Sequence, residues 1–199
     1  MTRMLAALVA GLVLGGAAAP LPPQERAGDL RRGILLYARP GLPDPNFAGT
    51  VVLLLEHGDT GSLGVVLNRP TPRGLRDVLD LQPRAGDSDL PVFWGGPVQP
   101  EAVLSLIRTR RPGPRARTVL GEVHVTPDLA EIQAMLDERD GRLRVRVFSG
   151  YAGWGRGQLA AEVRAGAWVL EPGDAATVFS PEPSRLWEKV HEILRRVRA

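Results

Sequence analysis

The sequence predicts a single α/β domain that runs from about residue 30 to residue 199. Two continuous apolar runs, residues 34–38 and 50–56, have the length of strands and are rich in Val, Ile and Leu, as in strands buried on both faces. Segments with helical spacing alternate with such runs further along the chain. With 44% hydrophobic and 24% charged residues, the chain has enough apolar material for one core. No internal repeat or long linker divides it.

Three shorter signals extend this pattern in the first half of the chain. Residues 63–67 form a strand-length run that ends at Asn68-Arg69-Pro70, because a residue before proline is pushed toward extended geometry. A brief helix is predicted over residues 75–79. Residues 91–94 then predict a strand that runs into a tight turn at Gly95-Gly96-Pro97.

Helix signals are clearest in the second half. Thr126-Pro127-Asp128 combines a hydroxyl cap, a proline at the first helical position and an acid in the first turn. Gly141 is expected to end that helix. The C-terminal segment carries one apolar stripe and predicts an amphipathic helix docked by that stripe, which comprises Leu186, Trp187, Val190, Ile193, Leu194 and Val197.

The most unusual segment is the glycine-rich run of residues 150–157. An alternating segment, residues 142–148, precedes it and predicts a strand with three arginines on one face and apolar residues on the other. A helix over 158–165, capped by Gly166, follows it and leads into a strand over 167–170. Glycine is used where φ is positive or where another group approaches the main chain. We therefore expect a loop here with something lying close to its backbone.

The first nineteen residues differ from the rest. Arg3 precedes an apolar stretch that continues into small residues through Ala19, which is the pattern of a secretory signal. The apolar part is shorter than the roughly 20 residues of a spanning helix, so no stable membrane span is expected. A start codon assigned too far upstream is the alternative.

Composition excludes several classes of site. The chain has no cysteine, which excludes disulfides, thiolate metal sites and a cysteine nucleophile. The three histidines, His57, His124 and His191, lack the short spacings that hold zinc, so no metal and no cofactor is expected. A formal net charge of only +3 is not by itself a nucleic-acid signature.

Motifs spread over residues 30–190 resemble those of the YqgE/AlgH family of bacterial proteins. The matching pieces are Gly33-Ile34-Leu35-Leu36, Pro40, Asp44-Pro45-Asn46-Phe47, residues 51–57, Gly64-Val65-Val66-Leu67-Asn68-Arg69-Pro70, Gly95-Gly96-Pro97-Val98, residues 150–159 and Gly166-Ala167-Trp168. The resemblance implies a large, strongly curved, mixed β-sheet flanked by helices. It implies no agreed biochemical activity, although some members carry a transcriptional-regulator label.

The resemblance also has limits. Ser105 stands where the family often has a histidine, and Ala160 where it often has an acid. Any site that depended on those two side chains is in doubt for this chain. The family is generally regarded as cytoplasmic, whereas the leader pattern favours export to the periplasm, and the sequence leaves both compartments open.

We expect a non-catalytic regulatory protein that binds a small anionic ligand or a protein partner. A glycine-rich turn before a helix presents free N–H groups to anions, although the run is neither a P-loop nor a dinucleotide fingerprint. The simpler interpretation is structural, with Trp154 filling core. The predicted ligand-binding residues are Asn68, Arg69, Gly95, Gly96, Gly153, Trp154, Gly155, Arg156, Gly157 and Gln158.

Two alternatives remain open. A weak nucleic-acid binder would use the arginines Arg108, Arg110, Arg111, Arg115 and Arg117, extended by the arginine face of residues 142–146. A solvated hairpin tip is the simpler interpretation of that segment. A hydrolase would use Glu56, His57 and Glu162, but neighbouring strand residues point to opposite faces, so Glu56 and His57 share a site only if the strand has ended.

Overall fold

The computed structural model describes residues 27–77, 90–137 and 143–198. The predicted leader at residues 1–19, the end of the predicted helix at 78–79, and the predicted helix stop at Gly141 lie outside these ranges.

Among the described residues, ten strands make up one sheet. They are β1 (Ile34–Ala38), β2 (Val51–Gly58), β3 (Gly61–Val66), β4 (Pro70–Gly74), β5 (Pro91–Trp94), β6 (Val98–Arg108), β7 (Arg117–Leu120), β8 (Val123–Thr126), β9 (Arg144–Gly155) and β10 (Trp168–Pro172). Eight of them follow the order β10-β1-β2-β3-β9-β6-β8-β7, and each neighbouring pair is antiparallel. The short β5 pairs in parallel with β9, and β4 pairs with β5, so the sheet is mixed.

In the described part of the chain, α-helices accompany the sheet: α1 (Leu129–Asp137), α2 (Gln158–Arg164), α3 (Ala175–Val178) and α4 (Lys189–Arg198). Short 3-10 helices cover Ala27–Asp29, Leu75–Asp77 and Pro183–Glu188. Gly166 ends α2 as expected, with φ at 80° and its N–H donating to the carbonyl of Val163. In the part of the chain that the structure describes, no helix has both the length and the apolarity that crossing a membrane requires.

The sheet is strongly curled, as the resemblance implies. The Arg117 side chain on β7 reaches Glu56 on β2 at 2.7 Å, although the two strands lie far apart in the strand order. Near the same seam, a Cβ on Gly33 would lie 3.3 Å from Cβ of Leu120, and one on Gly173 would lie 2.9 Å from Leu120 Cδ2. The β7 end of the sheet therefore closes toward β1 and β10, and the sheet has an inner and an outer face.

Both faces of the first strands are buried, which explains their continuous apolar sequence. Along β1, Leu35 and Tyr37 belong to the inner core, whereas Ile34 and Leu36 belong to the outer core. Helices α3 and α4 cover the inner face through Val178, Val190 and Ile193, and α2 covers the outer face through Leu159 and Val163. Each fully buried aliphatic side chain contributes about 1.5 to 3 kcal/mol of transfer free energy.

The prediction of a loop over the whole glycine-rich run is wrong, because the loop is much shorter. Strand β9 continues through Gly155, so only Arg156 and Gly157 form the turn before α2. Strand β3 pairs along this stretch, with Gly61 opposite Gly155 and Gly64 opposite Ala152. Glycines hide the alternation of apolar side chains by which a strand is normally recognised, and here they permit closely packed pairing.

The prediction for the arginine face of β9 also needs a correction. Arg144 and Arg146 do share a face, but Phe148 lies on it too, and it is the inner face of the sheet. Arg146 is only 8% exposed. The curl of the sheet, which alternation alone does not reveal, turns this side chain inward.

Candidate functional site

The group that lies close to the glycine backbone of β9 is another segment of this chain. Gly95 donates its N–H to the carbonyl of Ser149 at 2.9 Å. A Cβ on Gly95 would lie 2.2 Å from the Gly150 carbonyl oxygen, and one on Gly96 would lie 2.2 Å from the carbonyl carbon of Tyr151. Two main chains therefore touch at this point, and a side chain on either glycine would separate them.

Asn68 is held by the backbone around it. Its Oδ1 accepts the N–H of Val51 at 2.9 Å, and its Nδ2 donates to the carbonyl of Gly49 at 2.8 Å. The residue is 8% exposed. The amide thus completes the backbone hydrogen bonding where β2 begins, since both ends of the side chain have a main-chain partner.

Arg69 lies next to it over an aromatic ring. Its guanidinium carbon is 4.8 Å from the centre of the Trp94 ring, and Nη2 donates to the carbonyl of Ala48 at 3.1 Å. Partial burial lowers the pKa of Arg69, an effect that the charge of Asp44 opposes. This arginine therefore anchors the loop between β1 and β2.

Trp154 belongs to the outer core. Its ring stacks on Phe47 with centroids 5.9 Å apart, and it meets Trp168 edge-on at 6.1 Å. Both indole N–H groups donate to one oxygen of Glu162, at 3.0 Å from Trp154 and 2.9 Å from Trp168. The structural interpretation of Trp154 therefore accounts for its position.

The rest of the predicted ligand-binding set lies at the end of β9. Gly153, Gly155, Arg156 and Gly157 are exposed. Gln158 accepts the N–H of Gly155 at 3.1 Å and donates to Glu162 at 3.0 Å. The ten residues thus form two groups, and the loop of residues 44–48 contacts both of them through Ala48 and Phe47.

The five arginines of the nucleic-acid alternative lie in or beside the connection between β6 and β7, and within the described residues four of them have carboxylate partners. Glu122 forms ion pairs with Arg110 at 2.8 Å and with Arg108 at 3.7 Å. Arg115 contacts Asp128 at 3.1 Å, Arg117 contacts Glu56 at 2.7 Å, and Arg111 is exposed. Exposed ion pairs of this kind contribute little to stability, but their carboxylates offset the positive field that a nucleic acid would meet.

The three side chains of the hydrolase alternative are not brought together. Strand β2 continues to Gly58, so Glu56 and His57 point to opposite faces, with Glu56 opposite Leu63 and His57 opposite Ser62. Nδ1 of His57 lies 2.8 Å from the Ser62 hydroxyl. Glu56 pairs with Arg117, and Glu162 is bonded to two tryptophans. No group of three or more metal-ligating side chains that could hold an ion occurs within residues 27–77, 90–137 and 143–198.

A cleft with cationic walls lies elsewhere, between α4 and the end of β1. It has a volume of about 480 Å³ and is lined by Arg39, Pro40, His191, Leu194 and Arg195. On α4, His191, Leu194 and Arg195 follow the i, i+3, i+4 spacing that places side chains on one helix face. The cleft therefore combines three basic groups with two apolar ones.

Trp187 connects the two elements that border this cleft. Its indole N–H donates to the carbonyl of Ala38, the last residue of β1, at 2.7 Å. The same ring meets His191 edge-on with centroids 5.6 Å apart. This tryptophan thus links the segment before α4 to the end of β1. It also contacts His191, and Arg39 directly follows Ala38, so both basic residues lie near the same indole ring.

Sequence reasoning did not select these cleft residues. In the sequence, Leu194 belongs to the docking stripe of the C-terminal helix, and the basic residues beside that stripe match no binding motif. A usable signal was present, because His191 and Arg195 border that stripe one helical turn apart. The contribution of Arg39 depends on contacts between segments about 150 residues apart, which no local pattern contains.

Comparisons with known proteins agree with the motifs. The family model described as AlgH-like matches residues 35–196. A UPF0301 protein of Streptomyces coelicolor is 45% identical over 172 residues, covering 83% of this chain and 86% of that protein. A UPF0301 protein of Myxococcus xanthus is 38% identical over 157 residues, covering 77% and 85%.

Two solved structures share the fold. The solution structure of AlgH from Pseudomonas aeruginosa is 30% identical, with a TM-score of 0.66, and the match covers 92% of this chain and 97% of that one. A crystal structure of a Corynebacterium diphtheriae protein matches at 22% identity with a TM-score of 0.67, covering 84% and 87%, and supports the fold alone. The chain belongs to the AlgH-like family, also named UPF0301.

Proposed function

We propose that this protein is a non-catalytic binding protein with a regulatory role, and that it takes a small organic anion in the cleft between α4 and the end of β1. The observation that carries the proposal is the cleft itself, a volume of about 480 Å³ walled by Arg39, His191 and Arg195.

The chemistry of the walls favours an anion. A guanidinium presents its N–H groups in a planar fork that matches a carboxylate or a phosphate, and an imidazole adds a further donor when it is protonated. Hydrogen bonds to charged groups are stronger than neutral ones, and a partly enclosed cleft screens them less than open solvent does.

Size and lining favour an organic anion over a bare inorganic ion. Ligand pockets usually have volumes of roughly 300 to 1,000 Å³. Pro40 and Leu194 provide apolar surface beside the charges. A ligand with an apolar portion and one or two acidic groups would contact both the apolar and the basic residues of the cleft. We therefore take organic carboxylates and phosphate monoesters as the compounds to test.

A binding role is also consistent with how the acid–base side chains are used. Glu162 is bonded to Trp154 and Trp168, and Glu56 is paired with Arg117. These contacts stabilise the fold and keep the carboxylates in separate places. A second location for an anion is the turn at Arg156, which the sequence predicts and where the arginine is exposed.

Thermal-shift screening with organic carboxylates and phosphate monoesters, followed by calorimetric titration, tests the proposal. For a compound that binds, Arg195→Ala is expected to weaken the affinity roughly tenfold to hundredfold, because a charge-assisted hydrogen bond contributes about 1.5 to 3 kcal/mol. His191→Ala should weaken it less.

Arg111→Ala is the matched control, since it removes another exposed arginine that does not line the cleft. Affinity unchanged by Arg195→Ala and His191→Ala but lost with Arg156→Ala would move the site to the β9 turn. The absence of any saturable binding in the whole panel would contradict the proposal.

A further inference from the structure

His191 differs from the other two histidines in how its ring nitrogens are used. Each ring nitrogen of His124 lies 3.1 Å from an oxygen of a threonine. Nδ1 of His57 lies 2.8 Å from the Ser62 hydroxyl. Within the described residues, neither ring nitrogen of His191 has a hydrogen-bond partner. Both nitrogens of this ring are therefore available to a ligand.

The ring of His191 is exposed, but it has a defined place in the wall of the α4 cleft. It lines the volume of about 480 Å³ and meets the Trp187 ring edge-on, with centroids 5.6 Å apart. Arg195 lies one helical turn further along α4 and lines the same cleft. An anion that contacts Arg195 can therefore reach His191 as well.

The charged groups that face His191 in the cleft are both basic. They are Arg195 from α4 and Arg39 from the segment after β1, and the five lining residues in the described part of the chain include no carboxylate. On the preceding 3-10 helix, Glu188 lies three residues before His191 but pairs with Arg185 at 3.3 Å. In the protein without an anion, a protonated His191 therefore faces two guanidinium groups.

The other charged residues of this region are turned elsewhere. Lys189 and Glu192 lie two residues and one residue from His191 on α4, and neighbours at that spacing do not share a helix face. Arg196 contacts Glu171 of β10 at 3.7 Å. An anion in the cleft is thus the group that would offset the like charges around a protonated His191.

The charge of a histidine changes with pH in the physiological range, ordinarily between about pH 5 and about pH 8. Protonation gives the imidazole a positive charge and a second N–H donor, and hydrogen bonds between charged groups are stronger than neutral ones. An anion therefore binds the protonated form more tightly, and by linkage its binding promotes protonation. The affinity is highest below the histidine range and falls as the pH rises through it.

We propose that the α4 cleft binds its organic anion with uptake of a proton at His191, so that pH regulates the affinity. This inference rests on the proposed function, because it concerns the same cleft. Arg39 and Arg195 supply positive charge that does not change near neutral pH, and His191 supplies the part that does. The protein thereby takes up the anion in a mildly acidic medium and releases it as the medium becomes alkaline.

The test measures the affinity of the full chain for benzoate and for hexanoate by calorimetric titration, from about pH 5.5 to about pH 8 at constant ionic strength. Each probe carries one carboxylate on an apolar body, and a carboxylate with an ordinary pKa of about 4 to 5 stays largely ionised in this range. The affinity should fall roughly tenfold across the range, because a charge-assisted hydrogen bond becomes a neutral one. Binding near the middle of the range should also take up a fraction of one proton, measured as a rise in the pH of a weakly buffered solution.

His191→Gln separates the effect of the proton from the effect of the contact. Its amide keeps a neutral donor, so the probes should bind with the affinity that the parent has at about pH 8, and the dependence on pH should vanish. His57→Gln is the matched control, because it removes another exposed histidine that does not line the cleft. That variant should keep the pH dependence of the parent.

An affinity that falls with rising pH in the parent and in His57→Gln, but not in His191→Gln, supports the proposal. An affinity that is independent of pH, or that changes equally in the parent and in His191→Gln, overturns it and leaves the proposed function standing. If neither probe binds at any pH, this inference fails, and the wider panel of the thermal-shift screen decides the proposed function separately.

Discussion

At the scale of single residues, Glu162 is the most connected side chain of the outer core. One of its oxygens accepts hydrogen bonds from Trp154 and Trp168, and the other accepts one from Gln158 at 3.0 Å. Both tryptophans are at most 5% exposed. The carboxylate therefore satisfies the indole N–H groups of two buried tryptophans.

Replacement of Glu162 tests this role. Glu162→Ala should reduce the free energy of unfolding by roughly 2 to 5 kcal/mol, because it leaves two buried donors unsatisfied. Glu162→Gln keeps one acceptor oxygen and should cost clearly less. Denaturant unfolding followed by tryptophan fluorescence measures both. Equal, small losses for the two variants would contradict this account of the hydrogen bonding.

A second prediction at this scale concerns the contact between the glycine backbones. Gly96→Ala should cost roughly 2 to 4 kcal/mol, since its Cβ would lie 2.2 Å from Tyr151 and its φ is 150°. Gly41 provides the control, because its φ is 86° but nothing lies within 4 Å of an added Cβ. Gly41→Ala should cost only about 1 kcal/mol. If the two variants are equally stable, the contact between the two main chains is not tight.

At the scale of elements, the cap of α3 gives a prediction that depends on pH. Burial alone would raise the pKa of Asp174, but hydrogen bonds from the backbone N–H and hydroxyl of Thr177, at 2.8 and 2.7 Å, lower it overall. A lowered pKa in the folded state means that the charged carboxylate stabilises the protein above the ordinary aspartate range. That contribution is lost as the pH falls through the folded-state value.

Asp174→Ala should therefore cost about 1 kcal/mol at neutral pH, which is typical of a lost helix cap. The difference between the parent and this variant should shrink as the medium becomes more acidic than the ordinary aspartate pKa. Urea unfolding at a series of pH values measures it. A difference that stays constant into strong acid would mean that the carboxylate charge plays no part in the cap.

Local pattern predicted some elements well. The apolar runs of β1 and β2 are recognisable because these strands are buried on both faces. Thr126-Pro127-Asp128 predicts the start of α1 two residues early, because α1 begins at Leu129. Asp128 caps it in place of Thr126, since its carboxylate accepts the N–H groups of Ala130 and Glu131. Strand β4 was not predicted, since prolines at 70 and 72 argue against a strand. Strands β6, β7 and β8 were not predicted; they flank the arginine-rich segment of residues 108–117, for which a hairpin tip is the simpler interpretation. Helix α3 is too short to show a period.

The ligand-binding site could not be located from the sequence for a different reason. Glycine spacing reports that a group approaches the backbone, but it does not identify the group, and here Gly95 and Gly96 lie against Gly150 and Tyr151. The α4 cleft depends on a contact between Trp187 and Ala38. Contacts at such sequence separation arise from the curl of the whole sheet, so the cleft could not be derived from local periodicity.

At the scale of the whole molecule, three basic regions of the described residues belong to different elements of the curled sheet and its helices. The α4 cleft lies at the end of β1, the exposed Arg156 turn follows β9, and the arginines of residues 108–117 lie at the end of the β6–β7–β8 region. The inner core between them is covered by α3 and α4. A ligand that binds one of these regions can therefore be assigned by which of their residues respond to it.

The most direct test of the central claim is backbone and indole NMR of the labelled chain during titration with an organic anion from the thermal-shift screen. We expect saturable shifts at Arg39, His191, Leu194 and Arg195. The indole of Trp187 should shift as well, because it contacts His191 and the carbonyl of Ala38, the residue before Arg39. Shifts confined to residues 153–158, or to the arginines of residues 108–117, with the cleft unchanged, would contradict the account.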